Sequence, residues 1–138
     1  MSGRCCLDLF AGSGALGMEA ASRGAAEVVM LEKNRLVYHA LQENIRKLNF
    51  QQIILRNDDG LNYAKSGTQS FDVIFLDPPF KSDYVAKLLP ALVKLLKPTG
   101  LLYIESAASY EAAAPWHVIK TGKAGAVHYQ LMQYGQHD

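Results

Sequence analysis

The chain lacks most of the features that mark specialised classes of protein. It has 138 residues but only two cysteines, Cys5 and Cys6. Adjacent residues of a strand point to opposite faces, which argues against a structural disulfide and favours a reducing compartment. No apolar run approaches the roughly 18 residues of a membrane span, and no leader with a basic and then an apolar stretch opens the chain. We therefore expect a cytoplasmic protein that does not associate with membranes.

The chain also lacks an excess of charge of one sign. Fourteen basic and thirteen acidic residues leave a net charge of +1, which neither favours nor excludes a nucleic-acid partner. Its four histidines are scattered, and no Cys/His group has zinc-like spacing, so we expect no metal site. The length, the ordinary composition and the absence of linkers or repeats predict one domain over residues 1–138, and we expect a monomer.

Short apolar runs alternate with amphipathic stretches along the whole chain. This pattern predicts strands at 5–10, 28–31, 53–55, 73–76 and 101–104, and helices at 15–23, 37–48, 58–64 and 85–96, with a turn at 98–100. Two further predicted strands, 116–120 and 127–134, read as an antiparallel hairpin. Buried strands separated by helices predict a doubly wound, Rossmann-like α/β sheet covered on both faces. Ligands bind such sheets beyond the carboxyl ends of the strands.

A glycine-rich turn follows the first predicted strand. Gly12, Gly14 and Gly17 form a G-x-G-x-x-G run that opens a helix, and Glu32 lies 20 residues beyond Gly12, at the end of the second strand. Glycines allow a ligand to approach the backbone closely, and a carboxylate in this place accepts hydrogen bonds from both ribose hydroxyls. The combination fits any nucleoside-bearing cofactor, NAD included.

Two other acidic positions favour S-adenosylmethionine over a dinucleotide. Asp8 lies inside the first strand, where a buried carboxylate needs a partner. A cationic ligand supplies one and a pyrophosphate does not; the alternative is that backbone donors in the turn satisfy Asp8. After the third strand, Asp59 is the first candidate and Asp58 the second to accept a hydrogen bond from the adenine amino group. A plain helix N-cap is an equally good interpretation of Asp59.

The sequence Asp77-Pro78-Pro79-Phe80 follows the fourth strand and carries the chemistry in this interpretation. Two prolines fix the backbone and remove two N–H donors. A carboxylate and a rigid carbonyl then each accept one hydrogen of an –NH2 group, which turns the nitrogen lone pair toward an electrophile, and Phe80 offers a face for a base to stack on. The alternative is that the prolines merely end the strand.

Further polar residues are expected at or near the same edge of the sheet. Glu105 and Ser106 end the fifth strand and are candidates to hold a substrate base or to be solvated rim residues. The basic residues expected near this edge are Arg23, Lys33, Lys81, Lys120 and Lys123. We expect most of them to be ordinary solvent-exposed side chains without a binding role.

These motifs resemble a known family. The segments CLDLFAGSGALGMEAASRGA (6–25), DPPF (77–80) and YIES (103–106) are similar to the RsmD family of bacterial 16S ribosomal RNA guanine-N2 methyltransferases, which use S-adenosylmethionine. The resemblance covers nearly the whole chain. Family members carry an additional basic N-terminal segment, and its absence here predicts weak RNA affinity. Phe10 stands where many other methyltransferases have glycine, a substitution common in this family.

The resemblance implies a fold, an activity and a set of site residues. The sheet order would be 3-2-1-4-5-7-6 with strand 7 antiparallel. The reaction would be methyl transfer to a guanine N2 in 16S rRNA, as naked RNA or within the small ribosomal subunit. The implied catalytic residues are Asp77, Pro78, Pro79 and Phe80, and the expected cofactor-binding residues are Asp8, Phe10, Ala11, Gly12, Ser13, Gly14, Glu32, Lys33, Asp59 and Gly60. An adenine-N6 methyltransferase is the alternative, and an NAD-binding oxidoreductase is a more remote one.

Overall fold

In the part of the chain that the structure describes, seven strands form one mixed sheet with helices on both faces. The computed structural model describes residues 2–77, 82–106, 115–125 and 127–135. The strands are β1 (Cys5–Asp8), β2 (Glu27–Leu31), β3 (Ile53–Arg56), β4 (Phe71–Leu76), β5 (Leu96–Ser106), β6 (Trp116–Ala124) and β7 (Val127–Tyr134). The helices are α1 (Ala15–Ser22), α2 (Arg35–Lys47), α3 (Gly60–Ser66) and α4 (Ser82–Val93).

The strand order and directions confirm the predicted topology. The order is β3-β2-β1-β4-β5-β7-β6. Strands β1 to β5 pair in parallel, whereas β7 is antiparallel to both β5 and β6. Strand β1 therefore lies between β2 and β4, at the point where the order of the strands reverses. That is where open α/β sheets bind ligands.

Each face of the sheet has its own apolar core, because alternate residues of a strand point to opposite faces. On one face, Cys6, Met30 and Phe75 pack with residues from α1 and α2, such as Ala20 and Leu41. The opposite face packs against α3 and α4, through the residues Leu7, Leu31, Ile74, Leu76, Tyr63, Leu89 and Leu92. Burial on both faces explains why the central strands are continuously apolar.

Two predicted boundaries near β5 are wrong. The helix predicted to reach residue 96 ends at Val93, and the turn predicted at 98–100 lies inside β5, which begins at Leu96. The pairing of β4 with β5 starts at Phe71 and Leu96, and its register then shifts before Val73. This irregularity admits Pro98, which cannot donate to a ladder. Pro98 therefore lies within a strand and does not start a turn.

The boundaries of β1 and of the terminal hairpin differ less from prediction. Strand β1 ends at Asp8 rather than at residue 10, because the chain beyond it turns into the glycine-rich loop. The Ala11 N–H still donates to the Leu31 carbonyl at 2.9 Å, which holds this loop against β2. The predicted hairpin is confirmed, with β6 extending to Ala124. Among the described residues, no helix has the length and apolarity needed to cross a membrane; α2, at 13 residues, is the longest.

Candidate functional site

A cavity of about 760 Å³ opens at the carboxyl ends of the strands that flank the reversal point. Its size is within the range of small-molecule and cofactor sites. The lining residues come from the ends of β1, β2, β3 and β4 and from the start of α2: Leu9, Phe10, Ala11, Gly12, Ser13, Leu31, Glu32, Lys33, Asn34, Val37, Asp59, Gly60 and Asp77. Most of the predicted cofactor-site residues are therefore in one place.

The glycine-rich loop brings its backbone to the edge of this cavity. Gly12 has φ +54°, and a Cβ added there would meet nothing within 4 Å, so its backbone borders open space. Gly14 has φ +83°, and a Cβ there would lie 2.5 Å from Leu41 Cδ2. Gly14 is buried and does not line the cavity. Gly12 thus keeps space free for a ligand, whereas Gly14 lets α1 begin close to α2.

Glu32 connects the loops that follow β1 and β2. Its Oε1 accepts a hydrogen bond from the Gly12 N–H at 2.9 Å, and its Oε2 accepts one from the Asn34 N–H at 2.8 Å. Asn34 also caps α2, because its Oδ1 accepts from the Val37 N–H at 3.1 Å. Each carboxylate oxygen has a second lone pair, so the fixed carboxylate retains acceptors for a ligand in the cavity.

The two aspartates after β3 have different surroundings. Asp59 lines the cavity and caps α3, where its Oδ1 accepts from the Leu61 N–H at 2.9 Å. Asp58 is not among the lining residues; its Oδ1 accepts from the Asp59 N–H, and its Oδ2 lies 3.5 Å from Arg56. The N-cap interpretation of Asp59 is confirmed. It leaves Oδ2 of Asp59 for a ligand, because no described residue donates to that atom.

Asp8 lies behind the cavity rather than in its lining. Its side chain is 1% exposed, and neither carboxylate oxygen has a hydrogen-bond partner among the described residues. Burial raises the pKa of Asp8 to about 7. The backbone N–H groups of Gly17 and Phe10 are near enough to oppose this rise without completing a hydrogen bond, and the Asp77 and Glu32 carboxylates add to it. An unsatisfied buried carboxyl group requires an explanation. A nearby cationic ligand would provide one.

Asp77 is the part of the predicted catalytic motif that the structure describes. It follows β4 directly, is exposed, and lines the same cavity as Glu32, which follows β2 on the other side of β1. Partial desolvation in the cavity raises the pKa of Asp77, and the Glu105 carboxylate raises it further. Pro78, Pro79 and Phe80, together with Lys81, lie outside the described residues.

The structure corrects one predicted position and adds several residues. Arg23 was expected near the ligand edge, but it follows the end of α1 at the opposite edge and pairs with Glu19 at 2.7 Å. Helix α1 runs back from the site, so its last turn points away. The residues that sequence reasoning missed in the cavity are Leu9, Leu31, Asn34 and Val37. Asn34 had a usable signal, since Asn directly before an amphipathic stretch is a favoured N-cap.

Comparison with known proteins supplies a family for this arrangement. A family model described as Conserved hypothetical protein 95 matches residues 1–133. The ribosomal RNA small subunit methyltransferase D of Haemophilus influenzae is 37% identical over 136 residues, which cover 93% of this chain and 70% of that protein. The chain belongs to the RsmD family.

Other members and solved structures agree with the RsmD assignment. The Escherichia coli K12 protein of the same name is 34% identical, and the match covers 93% of this chain and 67% of that protein. A solved structure of a candidate methyltransferase from Escherichia coli superposes with a TM-score of 0.88 at 30% identity, covering 99% of this chain and 80% of its own. A candidate methylase from Haemophilus influenzae has a TM-score of 0.83 at 35% identity, covering 96% and 88%. The RsmD fold is thus the Rossmann-like methyltransferase fold.

The described part of the chain shows no alternative metal-dependent site. Within residues 2–77, 82–106, 115–125 and 127–135, no three His, Cys, Asp or Glu side chains are grouped so as to hold a metal ion.

Proposed function

We propose that this protein transfers a methyl group from S-adenosylmethionine to the exocyclic N2 of a guanine in 16S rRNA. The observation that carries the proposal is the cavity itself. One end is formed by Gly12 and Glu32, which suit a nucleoside, and the other by the Asp77 carboxylate, which suits an amino group. The proposal is supported by relatives that are named ribosomal RNA small subunit methyltransferase D.

Three observations fit S-adenosylmethionine to this cavity. Glu32 is held by two backbone N–H groups and keeps lone pairs for ribose hydroxyls. The open space beside Gly12 leaves room for a ligand against the backbone. The unpartnered carboxyl group of Asp8 lies where a positive ligand would favour its ionised form. When bound, S-adenosylmethionine would supply a methyl group from a positively charged sulfur; the sulfur would become a neutral thioether as the N–C bond forms, and the amino nitrogen would lose one proton to solvent.

The protein contributes mainly position. We propose that the Asp77 carboxylate accepts a hydrogen bond from the amino group to be methylated and holds its nitrogen toward the donor end of the cavity. With the other hydrogen held by the carbonyl expected at Pro78, the nitrogen lone pair is turned out of conjugation with the base ring. The target base has to leave its stack to reach Asp77, and positioning of donor and acceptor supplies most of the acceleration. Pro78 and Phe80 keep their predicted roles at the carbonyl and the stacking face.

The experiment is transfer of a tritiated methyl group to three substrates in parallel: naked 16S rRNA, assembled small ribosomal subunits and duplex DNA. We expect label on ribosomal RNA or on the subunit alone, and calorimetry with S-adenosylhomocysteine and NAD to show binding of the first only. Label in DNA adenine would favour the N6 alternative. Binding of NAD instead of S-adenosylhomocysteine would contradict the proposal outright.

A further inference from the structure

Next to Asp77, on the neighbouring strand, lies a second carboxylate. Strands β4 and β5 pair in parallel, with Phe75 opposite Tyr103 and Leu76 opposite Ile104. The next residues along the chain are Asp77 and Glu105. Each directly follows a residue that faces the α3 and α4 side of the sheet, so alternation places both on the α1 and α2 side, as it does Phe75 and Tyr103. Adjacent strands lie roughly 4.8 Å apart. Asp77, which lines the cavity, and Glu105, which is not among the lining residues, therefore stand side by side.

Glu105 is held in place by the aromatic residues around it. The Tyr103 hydroxyl donates to Glu105 Oε1 at 2.9 Å. The Tyr103 ring is stacked on Tyr129, with ring centroids 6.3 Å apart and an interplanar angle of 17°, and it contacts Phe75 edge-on at 5.9 Å. These contacts fix the donor and, through it, the carboxylate. Among the described residues no group donates to Glu105 Oε2, so one oxygen of a positioned carboxylate stays available.

The described part of the chain places no cationic side chain against either of the two carboxylates. No described lysine, arginine or histidine forms an ion pair with Asp77 or Glu105. Their proximity contributes to the raised pKa of Asp77. Two neighbouring acceptors that no described cation neutralises match a ligand edge that presents two neighbouring hydrogen-bond donors.

Guanine presents such an edge and adenine does not. The Watson–Crick edge of guanine carries the N1–H donor directly beside the N2 amino group. In adenine the N6 amino group lies beside N1, which is an acceptor and would face a carboxylate unfavourably. We propose that Glu105 selects guanine by accepting a hydrogen bond from its N1–H while Asp77 holds its N2 amino group, with Tyr103 as the residue that positions Glu105. This inference rests on the proposed function and adds the residue that discriminates the base.

The test compares guanine with 2-aminopurine, which keeps the N2 amino group but has an acceptor at N1. The methylated guanosine of the rRNA is first mapped, and RNA fragments are then made with guanine or 2-aminopurine at that position. Transfer is measured as kcat/KM for the wild type, Glu105→Gln and Tyr103→Phe. Glu43→Gln, on the exposed surface of α2, is the matched control.

We expect the wild type to prefer guanine by about ten- to a hundredfold, the range for one hydrogen bond to a charged group. Glu105→Gln should lose at least tenfold of that preference, because an amide also donates to the N1 of 2-aminopurine. Tyr103→Phe keeps the packing of the ring but removes the hydroxyl, so its preference for guanine over 2-aminopurine should fall about threefold. The affinity for S-adenosylhomocysteine should stay within twofold in both variants, and Glu43→Gln should match the wild type throughout.

Two results would overturn the inference. One is a wild type that methylates 2-aminopurine as well as guanine, and the other is a Glu105→Gln enzyme with an unchanged preference. If Glu105→Gln does not fold, the wild-type comparison and Tyr103→Phe still decide. Failure of the proposed function is separate, because the wild type would then label adenine, protein or nothing at the mapping step.

Discussion

Replacement of Glu32 with alanine should separate cofactor binding from the rest of the fold. The change removes the two hydrogen bonds that Glu32 accepts from the Gly12 and Asn34 N–H groups, at 2.9 and 2.8 Å. It also removes the acceptors proposed for the ribose hydroxyls. Bonds to a charged group contribute about 1.5–3 kcal/mol each. Because this edge of the cavity is open to water, the lower figure applies. The loss of the two bonds to the ribose hydroxyls should therefore weaken the free energy of cofactor binding by about 3 kcal/mol.

A loss of about 3 kcal/mol corresponds to roughly a hundredfold weaker binding. The assay is calorimetric titration with S-adenosylhomocysteine, with thermal unfolding of the ligand-free protein alongside. Glu32→Gln keeps one acceptor oxygen without the charge, so its affinity for S-adenosylhomocysteine should be about tenfold lower than that of the wild type. Glu43→Ala, which removes an exposed helix ion pair with Arg46, should bind as the wild type does. A Glu32→Ala protein that binds within twofold of wild type would refute the assignment of Glu32 to the cofactor.

Three further predictions follow from the same site. Asp77→Asn should bind S-adenosylhomocysteine within a few-fold of wild type but transfer methyl groups at least a hundredfold more slowly. The pKa of Asp77 is raised. Single-turnover transfer by the wild type should therefore also fall as acidification protonates this carboxylate. In Gly60→Ala the new Cβ would lie 2.4 Å from the Leu9 carbonyl oxygen, so the free energy of unfolding should fall by about 1–3 kcal/mol. Gly12→Ala should chiefly weaken cofactor binding. A stable Gly60→Ala with weak binding in calorimetry, and a destabilised Gly12→Ala with normal binding in urea unfolding and calorimetry, would contradict this. The Asp8 carboxyl group has a pKa of about 7 when folded against 3.8 as its ordinary value, so it takes up a proton on folding, and its contribution to stability is lost as pH rises from about 4 to 7. Urea unfolding of the cofactor-free protein should then show wild type losing up to about 4 kcal/mol relative to Asp8→Asn over that interval; parallel pH profiles would show that Asp8 is not the group responsible.

Most of the fold could be predicted from the periodicity of apolar residues along the sequence. The buried strands are apolar on both faces, and α2 carries Leu41 and Val37 on one face at helical spacing, so their periodicities are clear. The error at β5 arose because Pro98 and Gly100 are typical turn residues, and only the register shift opposite Phe71 accommodates them in a strand. A shift of register depends on the neighbouring strand, which local sequence does not encode.

The candidate site was predictable where residues follow strands and less so where side chains meet through space. Gly12, Glu32, Asp59 and Asp77 each follow a strand, and the parallel sheet brings those ends together. Asp8 was predicted as a cofactor residue from its place in a strand, but its depth behind the cavity depends on packing. The link from Tyr129 through Tyr103 to Glu105 joins two strands and was not visible in the sequence.

The most direct test of the central claim is the chemical identity of the methylated nucleoside. Unmodified 16S rRNA is incubated with S-adenosylmethionine and either wild type or Asp77→Asn, digested to nucleosides and analysed by mass spectrometry against standards. We expect N2-methylguanosine from the wild type, and at least a hundredfold less from Asp77→Asn at equal cofactor occupancy. N6-methyladenosine as the product, or equal yields of N2-methylguanosine from both proteins, would contradict the assignment of Asp77 to a guanine amino group.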